Sequence, residues 1–391
     1  MRFRRATILL ASVLVLAWMI ETVRPTSAMP NFAQAYGMDC QVCHSIVPAL
    51  NAYGRYVQRT GYASLDPKTI ERADPIWVGE NPEYDSSAGP DVQWGNLAVH
   101  IAGAIGNDWT FHGQEWLSQD GDGTFTDTLW LTYNNLFHRD GHLFVGKVEA
   151  PAPSPFSQFF DLAGFAPPEI TVGEHTYEFD ANRWGSKLAY VRDWFTADLS
   201  YLGPNGDVTG SGGAGDWGPA TDKTFQYHLC DCIGYKPLEF GAYGGVGTIQ
   251  TSDGEIDHYN GAAGYVEVDS VKGIPGAMGI YQHAYDSHPG AGLNSATSTA
   301  FTAEVWEPLF KNQVIVSYRN EYTNDGLGNQ FHYNYLNGAW FLSHHVSDRN
   351  ANGFIVNVQG SMNPLFNLPS GGPTWQGQLW YVTTLGGVKG Q

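Results

Sequence analysis

From about Asp91 onward, apolar and polar residues alternate with a period of two. Leu129, Leu131 and Tyr133 alternate with Thr128, Trp130 and Thr132, and Phe195, Ala197, Leu199 and Tyr201 with Thr196, Asp198 and Ser200. Val314, Val316, Tyr318 and Tyr322 alternate with Gln313, Ser317, Arg319 and Glu321, and Phe354, Val356, Val358 and Met362 with Asn357, Gln359 and Ser361. Segments of about ten residues with one apolar face, separated by turn residues, predict strands of a closed barrel with lipid outside and a lumen inside. Arg319 and Glu321 suit a wet lumen better than a dry sandwich core. About fifteen such segments occur, and closed single-chain barrels usually have an even number, so the expectation is about 16 strands, with 14 as the fallback. The fold class is therefore all-β: an outer-membrane antiparallel β-barrel over residues 91–391.

Residues 29–75 break this pattern. Ile46, Leu50, Tyr53 and Val57 recur at helical spacing, with Pro48 where a first turn tolerates it. The spacing predicts a short helix, punctuated by Gly61 and Asp66-Pro67. Residues 76–90, with Asp, Pro, Ser and Gly throughout, read as a linker. At the other side, Arg2, Arg4 and Arg5 precede an apolar run from Ala6 to Ile20 and then Thr26-Ser27-Ala28. That is a signal peptide over residues 1–28, cleaved after Ala28, with an uncleaved anchor as the alternative. Elsewhere the apolar stretches are too short for a transmembrane helix.

Composition narrows the function classes. The net charge is −19, and removing the leader's +3 leaves −22, which argues against nucleic acid as a partner. Charged residues make up 15% and aromatics 14%, with 47 Gly. Few charges among many aromatic and small residues suit an outer-membrane barrel facing lipid, and also a secreted β-sandwich or propeller. Two long irregular stretches, Pro151 to Ala181 and Leu202 to Asp222, are of the length expected of extracellular loops. Gly244-Gly245-Val246-Gly247 falls in strand-like sequence without a following helix and is not a nucleotide loop.

The chemistry sits just behind the leader, at Cys40-Gln41-Val42-Cys43-His44. Cys-x-x-Cys-His is the attachment signature of a c-type haem: two thiols bond the porphyrin and the imidazole ligates iron. One haem c is expected on Cys40, Cys43 and His44. No His or Met lies between Ser45 and Val99, so the iron's other ligand is not downstream within the segment. Met29 and Met38 are the near distal candidates; His100, His112, His258, His283, His332, His344 and His345 are the barrel's. Water or an open position is the remaining option. A segment this small buries too little surface to shield a haem alone, so it is expected to plug the barrel. Cys230 and Cys232 could bridge, stay free, or join Cys40 and Cys43 around zinc. Glu174, His175, Glu178 and Asp180 offer carboxylate and imidazole ligands for iron, against the plainer reading of a solvated acidic loop.

Pro30, Phe32-Ala33, Gly37, Cys40-x-x-Cys43-His44 and Pro48-x-Leu50-Asn51-x-Tyr53-Gly54 resemble the fused monohaem c-type cytochrome–porin family of the bacterial outer membrane, the Fe(II)-oxidising outer-membrane cytochromes. The match covers about 25 residues closely and the rest by architecture. Gln34-Ala35-Tyr36 departs from the more basic stretch of that family, and the chain closes on Gly386 to Gln391 where many outer-membrane barrels have an aromatic. The resemblance implies an electron conduit in the outer membrane, an Fe(II):cytochrome c oxidoreductase, taking electrons from extracellular Fe(II) and giving them to a periplasmic c-type cytochrome. The alternatives are a porin-like transport channel with a haem gate or sensor, and a soluble periplasmic β-rich redox protein.

Overall fold

The computed structural model describes residues 29–389 apart from 47–48, 81–82, 86–91, 94–96, 119–123, 149–168, 174, 180–181, 193, 204–223, 233–237, 251–255, 271–273, 291, 311–312, 347–350 and 362–374. The expected signal peptide lies outside these residues. The strands close into one antiparallel barrel of 16 staves. In chain order these are Ile76–Glu80 continued by Glu83–Asp85, Val92–Gln93 continued by Leu97–Ile105, Trp109–Ser118, Phe125–Leu136, Gly141–Val148, Arg183–Arg192, Phe195–Leu202 and Thr224–Cys232. Leu238–Gln250, Ile256–Val268, Gly276–Asp286, Ala296–Leu309, Val314–Asn324, Gln330–Val346, Ala351–Ser361 and Trp375–Thr384 complete the ring. It closes where Tyr381 pairs with Glu80 and Thr384 with Trp77.

Where side chains are described, burial alternates along the staves in the inside-out sense. Leu129, Leu131, Val145, Leu199, Phe301 and Tyr318 are exposed on the outer wall, while Thr128, Thr132, Ser200, Glu304, Arg319 and Glu321 are buried on the lumen side. An apolar exterior over a polar interior is what lipid demands of a barrel and what water forbids a soluble sandwich; the soluble alternative fails on this point. No helix among the described residues is long and apolar enough to cross a membrane. The crossing is made by strands.

Two sequence expectations need correction. The stretch expected as a linker, 76–90, contains the first stave: Ile76-Trp77-Val78 is too short a run to show a period, and its pairing partners are Leu97–Ile101 and Tyr381–Thr384. The helix expected from Ile46 begins later. His44–Ile46 and Ala49–Leu50 form a small antiparallel pair, and the helix runs from Ala52 to Arg59 with Asn51 as its cap, the side chain accepting from Gly54 N at 3.0 Å. A further helix, Pro30–Tyr36, was not read from the sequence; Pro30 at its first position and Gly37 at φ 60° just past its end are its signals.

The strand ends alternate between short and long connections. The short ones, such as 106–108, 137–140 and 310–313, share an end with Ile76 and Thr384; 149–182, 203–223 and 362–374 are at the other. Short turns mark the periplasmic side of such barrels and long loops the extracellular side. The stave ends that flank both long irregular stretches are thus extracellular.

The N-terminal segment enters the lumen from the periplasmic end and is wedged there. Arg55 pairs with Glu239 at 3.1 Å, Glu267 at 2.8 Å and Asp269 at 3.3 Å, and Arg59 pairs with Glu239. All five side chains are buried. Ala52 N donates to Asp269 at 2.7 Å, and the Tyr265 hydroxyl to Glu239 at 2.6 Å. Burial pulls the Arg55 guanidinium down, but Glu267, Glu239 and Asp269 outweigh it and hold it above its ordinary value. On the opposite wall, Thr110 donates to the Gly61 carbonyl, the Tyr62 hydroxyl meets His112 Nδ1 at 3.0 Å, and a Cβ on Gly61 would press on Phe144 and Thr132 at 3.0 Å. Asn31 donates to the Ala102 carbonyl at 2.8 Å. The tail returns to the same segment: Gly386 O accepts from Gln34, and Lys389 N donates to Arg72 O.

Removing one partner of a buried ion pair costs about 3–5 kcal/mol, because the other charges stay buried. Arg55→Ala should release the helix Ala52–Arg59 from the wall, read as loss of hydrogen-exchange protection there with the staves still protected. Adding Glu267→Gln and Asp269→Asn should restore part of it. Unchanged protection in Arg55→Ala would show that the network does not hold the plug.

Candidate functional site

The Cys-x-x-Cys-His loop is a short 3₁₀ turn, Cys40–Val42, opened by Asp39, whose carboxylate accepts from Gln41 N at 3.0 Å. Cys43 N then donates to Cys40 O at 2.9 Å. Cys40, Cys43 and His44 are all buried, and the two thiols are unbridged.

Asn51 holds this loop in place. Its backbone N–H donates to Cys43 O at 2.9 Å, and its side-chain amide donates to Gln41 O at 3.1 Å and Val42 O at 3.2 Å. The same side chain caps the helix through Gly54. Gly54 matters for space: a Cβ there would sit 2.0 Å from Cys43 O and 2.9 Å from Leu50 Cδ2. Only a residue without a Cβ lets the helix lie flat on the loop. The Asn51-x-x-Gly54 spacing is therefore part of the Cys40–His44 site, and through Arg55 the site is tied to the barrel wall.

Part of the lumen wall is apolar. Ile280, Trp306, Ile315, Phe341 and Ile355 face inward from the middle to the periplasmic end of their staves, and they are buried. Ala49, next to the strand that carries His44, packs against this cluster. Burial pushes the Cys43 thiol up to about 11, and burial with the neighbouring Asp39 carboxylate raises Cys40 further. Burial thus keeps both thiols neutral, whereas a thiolate metal site would need both deprotonated. Cys230 and Cys232 lie in the wall strand Thr224–Cys232, with backbones paired to Gly241 and Glu239.

Met29 opens the helix Pro30–Tyr36 and packs against the cluster containing Phe32, Tyr62 and Trp130. Met38 lies in the turn between that helix and Cys40, its N–H donating to Ala33 O at 3.0 Å. His112 shares the Met29 cluster region through Tyr62, and His100 stacks on Trp77 at 4.9 Å between ring centres. His258, His283 and His332 are exposed, and the side chains of His344 and His345 lie outside the described residues.

Toward the extracellular end a hairpin, Glu169–Val172 with His175–Glu178, folds onto the inner wall. Ile170, Val172 and Tyr177 are buried in the same apolar cluster that Ala49 touches. His175 Nδ1 meets Asp286 Oδ2 at 2.8 Å and Asp257 Oδ2 at 3.5 Å. Glu174, Asp180 and the Glu178 side chain, expected as its companions, lie outside the described residues. The residues that sequence reasoning missed come from strand ends 80 and more positions away. The carboxylates of Asp257 and Asp286 beside it push the His175 imidazole up to about 9. A raised imidazole stabilises docking fully below its ordinary value near 6.5 and loses that contribution as pH rises through about 9. The melting temperature of the wild-type barrel should exceed that of His175→Gln near pH 6, and the gap should close above about pH 9. An unchanging gap would remove the ion pair from the account of hairpin docking.

No protein-family model matches the chain, and no curated protein matches it. Among solved structures, it is similar to a loop L8 deletion mutant of OmpT, an outer membrane protein of Vibrio cholerae, at 12% identity over 79% of this chain and 100% of that one, with a TM-score of 0.50. The trimer form of in-vitro folded OmpT from Vibrio cholerae gives 12% identity, 78% and 98% coverage and a TM-score of 0.50. An anion-selective porin from Comamonas acidovorans gives 12% identity, 79% and 98% coverage and 0.47. Likeness at this identity concerns the fold alone: the chain is a porin-like β-barrel of the bacterial outer membrane.

Proposed function

We propose that this barrel is an outer-membrane electron conduit, a fused cytochrome–porin that takes electrons from extracellular Fe(II) and delivers them to a periplasmic c-type cytochrome. Cys40 and Cys43 would hold one haem c covalently, with His44 as an iron ligand. The observation that carries this reading is the Asn51-stapled loop of two buried thiols and an imidazole, held inside the barrel by a segment whose Ala49 packs on an apolar patch of lumen wall. A water-filled pore favours a polar lumen; an apolar patch packed against the strand pair that carries His44 suits a porphyrin. When bound, haem c supplies a one-electron couple.

The chain's own residues do the rest. Arg55 and Arg59 fix the loop's depth by anchoring its following helix to Glu239, Glu267 and Asp269. Both thiols are buried away from water. Met29 and Met38 remain the near sulfur candidates for the iron's second face.

A porin-like transport channel with the haem segment as gate or sensor is the second reading. It is favoured by the plug's being held in an otherwise complete barrel by side-chain pairs and hydrogen bonds, which an effector could release. The two separate by experiment. Protein purified from outer membranes in detergent should carry one haem c per chain, and Fe(II) added to the oxidised form should reduce it rapidly. Cys43→Ala and His44→Ala should abolish that reduction. Asn51→Ala should lower haem content severalfold while the barrel still folds. Haem reducible by dithionite but not by Fe(II), together with large ion conductance in planar bilayers, would favour the gated channel instead.

A further inference from the structure

The electron-conduit reading leaves unused a second cluster at the extracellular end of the lumen. His175 comes from the inward-folded hairpin, Asp257 from the start of the stave Ile256–Val268 and Asp286 from the end of Gly276–Asp286. One ligand atom from each lies within 4.8 Å of the others. Both carboxylates are fully buried, and the described ion pairs of both go to His175 alone.

The two aspartates are oriented alike. Asp257 Oδ1 accepts from Ser287 Oγ at 2.7 Å and from His288 N at 3.0 Å, and Asp286 Oδ1 accepts from His288 N at 2.8 Å. In each case the outer oxygen is held by the loop and Oδ2 is left toward His175. Asp286 Oδ2 accepts from His175 and from the Tyr177 hydroxyl. Asp257 Oδ2 is buried with no hydrogen-bond partner and faces the imidazole. A buried carboxylate oxygen without a donor is costly. Two buried carboxylates with one imidazole carry a charge that a divalent cation neutralises and a single proton does not.

We infer that His175, Asp257 and Asp286 form a binding site for one divalent first-row transition-metal cation, bridging the hairpin to the extracellular ends of two staves. One nitrogen and two carboxylate oxygens suit Mn(II), Fe(II) or Zn(II) better than Mg(II) or Ca(II), which favour all-oxygen sets. Ser287 and the His288 N–H are the outer groups that orient the ligands. The cation takes the place of the proton shared by His175 Nδ1 and Asp286, and that proton leaves to solvent. Because His175 is partly exposed, water can complete the coordination. The inference does not depend on haem attachment at Cys40 and Cys43.

The test is a Mn(II) titration of full-length protein, stripped with chelator in detergent and followed by the loss of the free-ion paramagnetic resonance signal. Wild type should bind one equivalent that Asp257→Asn binds at least ~10-fold more weakly, with both proteins running as folded barrels on heat-modifiable gels. Equal stoichiometry and affinity in the two folded proteins would overturn the site. If Asp257→Asn does not fold, the wild type decides: hyperfine coupling from one imidazole nitrogen on bound Mn(II), lost in His175→Ala, supports the site, and bound Mn(II) without nitrogen coupling overturns it. Failure of Fe(II) to reduce haem would leave this outcome untouched.

Discussion

Two arginines facing three acids inside the lumen determine where everything else in this molecule can be. Burying Arg55 and Arg59 without partners would cost several kcal/mol per ion, and burying Glu239, Glu267 and Asp269 without them would cost as much. Neither the plug nor the periplasmic wall of the staves Leu238–Gln250 and Ile256–Val268 is tolerable alone; together the two guanidinium groups offset most of the acids' charge, and all five groups are hydrogen-bonded. The pairing sets depth and orientation, because Arg55 also donates to the Leu50 carbonyl at 3.1 Å. Leu50 immediately precedes Asn51, and Asn51 holds the Cys40–His44 loop. A charge network on one wall thus positions two thiols through five consecutive residues.

The lumen is accordingly divided along its axis. Near the periplasm it is filled by the N-terminal segment, pinned by ion pairs on one side and by Gly61, Tyr62 and Asn31 on others. Near the outside it is narrowed by the hairpin Glu169–Glu178, pinned through His175 and Tyr177. Between them lies the apolar cluster that both segments touch, through Ala49 from below and Ile170 and Val172 from above. The lumen wall is thus mixed, with Glu304, Arg319 and Glu321 buried on it beside the apolar residues that the two inserted segments meet.

The sequence showed the barrel plainly because a strand's signal is local. Alternation at Val314–Tyr322 needs only neighbours two apart, and the outward Tyr318 and inward Arg319 follow from it. The first stave was hidden because Ile76–Glu80 gives five residues amid Asp, Pro and Gly, and its strand character comes from partners near Ala98 and Val382. The helix start was misplaced for a similar reason: Ile46 and Leu50 fit a helical period, but the Asn51 side chain ends the alternative by capping at Gly54. Nothing near Arg55 and Arg59 in the sequence marks them, since the acids that define them lie about 180 to 215 positions downstream. His175 was legible as a ligand type and its companions were not. Glu174 and Glu178 are neighbours in sequence, whereas Asp257 and Asp286 reach it only once the barrel has closed.

The residues after the last stave carry the same logic back to the plug. In this barrel the last stave, Trp375–Thr384, must pair with Ile76–Glu80, and that first stave is delivered by a segment already inside the lumen. The residues after Thr384 return across that segment, Gly386 accepting from Gln34 and Lys389 donating to Arg72. A Cβ at Gly386 would lie 2.1 Å from an Asp74 carboxylate oxygen, so a larger residue there would push the tail off the plug. Closure of the ring and docking of the plug are therefore coupled: the strand that seals the barrel leads directly into the contacts that hold the N-terminal segment in it. Glycine at 386 serves that close approach, and a bulky ring at the position would trade it away.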